Sequence, residues 1–163
     1  MIGNNYLNPN KYYGEYPPTY LNIIYALFPS AQNILHLFSG SVRSSKNPLL
    51  HKETTFDINP TLKPDVIGDA EKLSDYFCEN FDLVLADPPY SKEDAFHYGI
   101  PMINRNKVII ECQKMLTTPG FLVWLDQVFP MFSKKEGLSL IGTIGVIRST
   151  NHRVRTVFIF KKT

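Results

Sequence analysis

The chain has 163 residues, 44% of them hydrophobic, and a formal net charge of +2. That length supports one domain with one substantial core and excludes two comfortable ones. A nearly balanced charge excludes a global electrostatic pull toward nucleic acid or membrane, so any such binding must use a local patch.

The first ten residues are polar and lack the basic and apolar regions of a signal peptide, and no later apolar run is long enough to span a bilayer. The expectation is a soluble, cytoplasmic protein. Pro17-Pro18-Thr19 opens a helix over residues 20–28, closed by Pro29. Residues 34–38 form a short apolar strand that runs into Ser39-Gly40-Ser41. Two brief strands follow, over 54–58 and 65–67, each beside an acidic residue, Asp57 and Asp69, and a short helical segment covers 70–77. Residues 81–86 are the clearest buried strand and lead straight into Asp87.

From 107 to 116, the residues Val108, Ile109, Cys112, Met115 and Leu116 share one helical face, and Pro119-Gly120 separates that helix from a strand over 121–125. Strand and helix alternate, and the strands are apolar on both faces, which indicates a parallel, doubly wound α/β sheet. The last third is β-rich. Runs 138–148 and 154–161 have no room for a helix between them and form a hairpin, so one of the two runs antiparallel to the rest. Cys78 and Cys112 lack the spacing of a metal site or disulfide framework and read as two buried thiols in a reducing compartment.

In such a sheet, ligands lie outside the carboxyl ends of the parallel strands. The loops there contain Phe38-Ser39-Gly40-Ser41, Asp57, Asp69, Asp87-Pro88-Pro89-Tyr90 and Asp126. Asp69 also reads as a helix N-cap, Asp57 as a turn residue before Asn59-Pro60, and Asp126 as a solvated loop carboxylate. His36 reads as a satisfied core histidine.

With these loops on the page, the chain resembles the class I S-adenosylmethionine-dependent methyltransferases that carry an Asp-Pro-Pro-Tyr motif, over nearly its whole length. Residues 57–69, 86–99, 123–131 and 141–155 are further similar to small, stand-alone bacterial and phage members. The resemblance implies a Rossmann-like fold with a mostly parallel seven-stranded sheet, helices on both faces and a C-terminal β-hairpin. It implies that Phe38, Ser39, Gly40 and Ser41 form the cofactor loop, that Asp57 with Ile58 holds the ribose, and that Asp69 with Ala70 faces the adenine. Asp87 would lie beside the cofactor, and Tyr16-Pro17-Pro18-Thr19 resembles the segment that closes over its methionine end. The loop departs from the family pattern, because Ser41-Val42 follows Gly40 where a second glycine is usual; weaker cofactor binding is the expectation.

An exocyclic amine on a base is conjugated with its ring, so its lone pair becomes available only when a site hydrogen-bonds both N–H groups. Asp87 would supply a carboxylate and Pro88 a carbonyl, while Pro88 and Pro89 lock the turn and donate no N–H. Tyr90 would stack on the base, contributing about 1–3 kcal/mol. His97 and Tyr98 form either a lid over the substrate or the end of a surface helix. If the penultimate strand is parallel, the turn carrying Arg148, Asn151, His152, Arg153 and Arg155 lies on the same edge as Asp87 and offers phosphate contacts.

The reading is thus an N-methyltransferase acting on adenine or cytosine in DNA or RNA, with no metal. Free nucleotides or another small amine, or a non-catalytic subunit of the same fold, are the alternatives. No segment is large enough for a separate target-recognition domain, so recognition would draw on a homodimer, a partner subunit or low sequence specificity.

Overall fold

In the computed structural model, residues 2–4, 16, 18–42, 52–131, 137–148 and 154–163 are described. Their strands are β1 (Ile2–Asn4), β2 (Asn33–Leu37), β3 (Lys52–Asp57), β4 (Val66–Ile67), β5 (Phe81–Ala86), β6 (Leu116–Asp126), β7 (Leu138–Arg148) and β8 (Val154–Lys162). The helices are α1 (Pro18–Leu27), α2 (Lys92–His97) and α3 (Arg105–Met115), with 3-10 turns at Pro60–Leu62 and Ala70–Asp75.

The strands form one sheet in the order β1-β7-β8-β6-β5-β2-β3-β4. β8 is antiparallel to both of its neighbours, and β7 therefore runs parallel to β6, as the hairpin argument required. β2 to β8 make the expected seven-stranded sheet. β1 adds a short parallel edge strand against β7, Ile2 opposite Val146, where the polar start of the chain gave no strand signal.

Alternation along the strands divides the interior into two layers. Ile34, Leu83, Leu85, Val123 and Leu125 point to one face, where Tyr20, Leu21 and Ile24 of α1 cover them. Leu35, Leu37, Val84, Leu122 and Trp124 point to the other, under Val108, Ile109 and Cys112 of α3 and Leu73 of the 3-10 turn. The central strands are covered on both faces, which is why their sequences lack the polar alternation of a half-solvated strand.

A single cross-strand row sets the functional edge. Val66, Phe56, Leu37, Ala86 and Trp124 lie side by side in successive pairings. The residues that follow each of them emerge together at the carboxyl ends of the parallel strands.

Two expectations change here. Pro119-Gly120 does not separate α3 from the next strand: β6 starts at Leu116 opposite Phe81, and pairing with β5 resumes at Phe121 opposite Leu83, so the Pro-Gly pair lies in an irregularity inside β6. Proline has no N–H to give the ladder, and a bulge is where a strand accommodates it. Cys78 is exposed and only Cys112 is buried, its thiol held well above the usual range by burial. The segment after Tyr90 forms α2, capped by the Ser91 hydroxyl, which accepts from the Asp94 amide at 3.1 Å. Among the described residues, no helix is long and apolar enough to cross a membrane.

Candidate active site

β2 ends at Leu37, and the chain turns sharply there. Phe38 has φ 58° and Gly40 φ 54°. A left-handed Phe is uncommon and costs about 1–3 kcal/mol, which the surroundings must offset. They do so through the Ser39 amide, which donates to the Phe56 carbonyl at 3.1 Å, and the Gly40 amide, which donates to Asp57 Oδ2 at 3.0 Å. Asp57 therefore ties the loop after β2 to the end of β3, while its Oδ1 accepts from the Asn59 amide at 2.9 Å. Burial raises the Asp57 carboxyl above its ordinary value, against the lowering effect of these amides. The turn role expected of Asp57 is observed.

Asp69 caps the 3-10 turn, its Oδ1 accepting from the Glu71 amide at 2.9 Å. Phe38, Asp57, Ile58, Asp69 and Ala70 line one cavity of about 250 Å³, closed on its far side by Ile100, Pro101, Met102 and Ile103. The sequence reading places all five in the cofactor site, and the fold brings them together. It gave no signal for residues 100–103, which belong to an irregular stretch between α2 and α3. Gly68 stands at the floor of this cavity, and a Cβ there would come within 2.6 Å of both the Phe56 and Tyr76 rings.

Asp87 follows β5, next to the turn after β2, because Ala86 is in register with Leu37. Pro88 and Pro89 are buried. The Tyr90 hydroxyl donates to Asp87 Oδ1. Burial, and then the Asp87 charge, push the Tyr90 phenol well above its ordinary pKa, so it stays a neutral donor. The buried Tyr16 and Tyr20 also lie in the field of Asp87, which reinforces the effect of burial in raising both phenols. Tyr16 stacks on Tyr20 with centroids 5.3 Å apart. The Tyr16 hydroxyl and the Ser39 hydroxyl are buried without a hydrogen-bond partner among the described residues. Such atoms call for a ligand or water.

Arg105, outside the expected set, and Asp126 hold the loop that follows β5. Arg105, at the start of α3, donates through Nη2 to the Tyr90 carbonyl at 2.9 Å and through Nε to Asp126 Oδ2 at 2.7 Å. Asp126 is fully buried and also accepts from Trp124 Nε1 at 3.1 Å and from the Gln127 and Val128 amides. It is an anchor, contrary to the solvated carboxylate expected: its place after Trp124 in β6 turns it toward α3. From the other face, Arg155 of β8 lies over the Tyr90 ring, its Cζ 4.5 Å from the centroid.

His97 is exposed at the last turn of α2 and Tyr98 caps that helix, the two rings in edge contact at 5.9 Å. They stand at the surface end of α2. Thr19 is exposed in the first turn of α1. Arg148 ends β7 at the same edge as Asp87. Pro17, Ser149, Asn151, His152 and Arg153 lie outside the described residues. His36 is a buried core histidine, with Nε2 3.2 Å from Glu53 Oε2 and 3.4 Å from the Tyr25 hydroxyl, while its Nδ1 has no hydrogen-bond partner among the described residues.

No family model matches the chain, and no curated protein matches it. Solved structures do. TrmN from Thermus thermophilus is similar at TM-score 0.67 and 19% identity, covering 91% of this chain, which spans 49% of that one. The N-methyltransferase NodS from Bradyrhizobium japonicum, in complex with S-adenosyl-L-homocysteine, is similar at TM-score 0.62 and 13% identity, covering 89% of this chain and 85% of that one. The S-adenosylmethionine-bound amino pentose methyltransferase CalS10 from Micromonospora echinaspora is similar at TM-score 0.56 and 13% identity, covering 89% of each chain. With the observed strand order and the single antiparallel strand β8, these likenesses identify the architecture: the chain has the Rossmann-like class I methyltransferase fold.

Proposed function

We propose that this protein is an S-adenosylmethionine-dependent methyltransferase that methylates an exocyclic amine of adenine or cytosine in DNA or RNA. The observation that carries this reading is the placement of Asp87-Pro88-Pro89-Tyr90 at the carboxyl end of β5, beside the cavity lined by Phe38, Asp57, Ile58, Asp69 and Ala70. Solved structures of the same fold include N-methyltransferases and enzymes holding S-adenosyl-L-methionine or S-adenosyl-L-homocysteine.

The residues present fit that cofactor. Asp57 offers carboxylate oxygens to a ribose diol, Ile58 and Ala70 offer apolar walls to an adenine, and Ser39 supplies a buried hydroxyl. When bound, the cofactor would supply an electrophilic methyl on a sulfonium and leave as the neutral thioether, and the proton that the methylated amine sheds would pass to Asp87 or solvent, so no general base of shifted pKa is needed. The chain then has to place and polarise the amine. Asp87 accepts one N–H and the Pro88 carbonyl the other, which lets the nitrogen pyramidalise and frees its lone pair. Tyr90 supplies a π-face for the ring. A base within a duplex would have to leave the stack to reach Asp87. A homodimer or partner subunit would contribute target recognition.

The deciding experiment is transfer of a radiolabelled methyl group to a panel of duplex DNA, single-stranded DNA, RNA and free nucleotides, followed by digestion and identification of the methylated nucleoside. N-methylated adenine or cytosine is the expected product. Label on an oxygen or carbon, or no label on any member, overturns the assignment.

A further inference from the structure

Tyr90 is engaged at both ends. Its hydroxyl donates to Asp87, and its ring carries the Arg155 guanidinium at 4.5 Å, well inside cation–π range. The order along this arrangement is donor on the carboxylate, aromatic ring, cation. A nucleotide offers a counterpart to each: an amine for the Asp87 carboxylate, a ring for the Tyr90 face and a phosphate for the guanidinium. Arg155 adds a second observation. Its Nε is buried and has no hydrogen-bond partner among the described residues. A buried guanidinium N–H left unpaired opposes folding, and such a group in a native site calls for a functional explanation.

The fold explains why the arginine stands there. β8 is antiparallel, so its first residues lie at the edge where the parallel strands end. Arg155 alternates in phase with Val157 and Ile159, which face the α1 side. The Arg105–Asp126 pair approaches the Tyr90 backbone from the α3 side. The loop is thus anchored through its carbonyl from one face, while the ring is covered from the other.

We infer that Arg155 is a phosphate-binding, specificity-determining residue: it covers Tyr90 in the free protein and moves onto a phosphate oxygen of the target nucleotide, which uncovers the ring and releases Asp87 to the amine. This deepens the proposed nucleic-acid reading and rests on it. A guanidinium suits the task because its planar fork stacks on a ring and also pairs with phosphate. An amine without an anionic group cannot draw Arg155 away, so the same residue discriminates against neutral amines.

The test measures binding of mixed-sequence single-stranded DNA and RNA 12-mers by fluorescence anisotropy across a salt series, for the wild type, Arg155→Met and Arg155→Lys. Met keeps an unbranched apolar stem, and Lys keeps the charge. For Arg155→Met the plot of log affinity against log salt should flatten by roughly 0.7, the loss of one single-strand phosphate contact, with affinity down about tenfold at low salt. Lys should restore the slope. The melting temperature of Arg155→Met should be unchanged or higher, because the unpaired buried N–H is removed. An unchanged slope in Arg155→Met, or a lower melting temperature with equal affinity, overturns the inference and leaves a packing role. Methyl transfer is assayed separately on the same oligonucleotides. Transfer with an unchanged slope sinks only the Arg155 role, whereas a flattened slope without transfer sinks only the catalytic reading.

Discussion

At Asp87, the side chain that would take the substrate amine takes a phenol hydroxyl from Tyr90 in the free protein. Two substitutions separate these roles. Asp87→Ala should abolish methyl transfer while leaving S-adenosylmethionine affinity within about threefold, because the fold holds the cavity through Asp57 and Asp69 instead. A fully active Asp87→Ala protein would falsify the catalytic assignment. Arg105→Ala tests the anchor. It strands the Asp126 carboxylate, fully buried, with only neutral donors, and breaking such a pair typically costs about 3–5 kcal/mol. Urea unfolding should show this loss. Arg105→Lys keeps the charge but not the fork that reaches both Asp126 and the Tyr90 carbonyl, so turnover should fall more than stability. Asp57 and Asp69 illustrate what residue type reveals: an acid after a strand takes a turn or capping role, and here both also line the cavity.

Elements make the site by meeting. α3 packs against the 3-10 turn Ala70–Asp75 through Val108, Ile109, Cys112 and Leu73, and the same junction carries Glu111, whose Oε2 accepts from the Ser74 amide at 2.7 Å while Lys114 pairs with Oε1. Leu73 is fully buried, so Leu73→Ala should cost about 2–5 kcal/mol in urea unfolding and loosen the Asp69–Ala70 wall of the cavity with it. Burial raises the Glu111 carboxyl, but Lys114 and the Ser74 donors outweigh it, and the net shift is downward. A carboxyl held lower in the folded than in the unfolded chain contributes stability above its unfolded pKa and loses it as pH falls through the folded one. The stability difference between wild type and Glu111→Gln should therefore be full at neutral pH and shrink as pH falls below the ordinary glutamate pKa of about 4.3. A difference that grows on acidification would contradict this.

For the whole molecule, the fold implies a ligand-linked stability. A cofactor that binds only the native state adds about 2.7 kcal/mol at a hundred times its Kd, which for a chain of this size raises the melting temperature by roughly 5–10 °C. Thermal shift with saturating S-adenosylmethionine should show it in the wild type. Gly68→Ala, whose added methyl meets the Phe56 and Tyr76 rings at the cavity floor, should reduce it. No shift in the wild type would favour a non-catalytic subunit of the same fold.

The strand–helix alternation, the strand over 81–86, the buried face of α3 and the row of acidic and Gly-containing turns were all determined by the sequence alone, because burial on both faces and turn chemistry leave local marks. So was the position of Asp87-Pro88-Pro89-Tyr90 directly after an apolar strand, since that is a local pattern. The tertiary structure decided the rest. Arg105, Asp126, Arg155 and residues 100–103 reach the site from separate elements, and their place depends on strand order and register. A buried Asp126 and a solvated one have the same neighbours in sequence. Only the approach of α3 and its guanidinium tells them apart, because pairing in space, not position along the chain, makes burial of the charge tolerable.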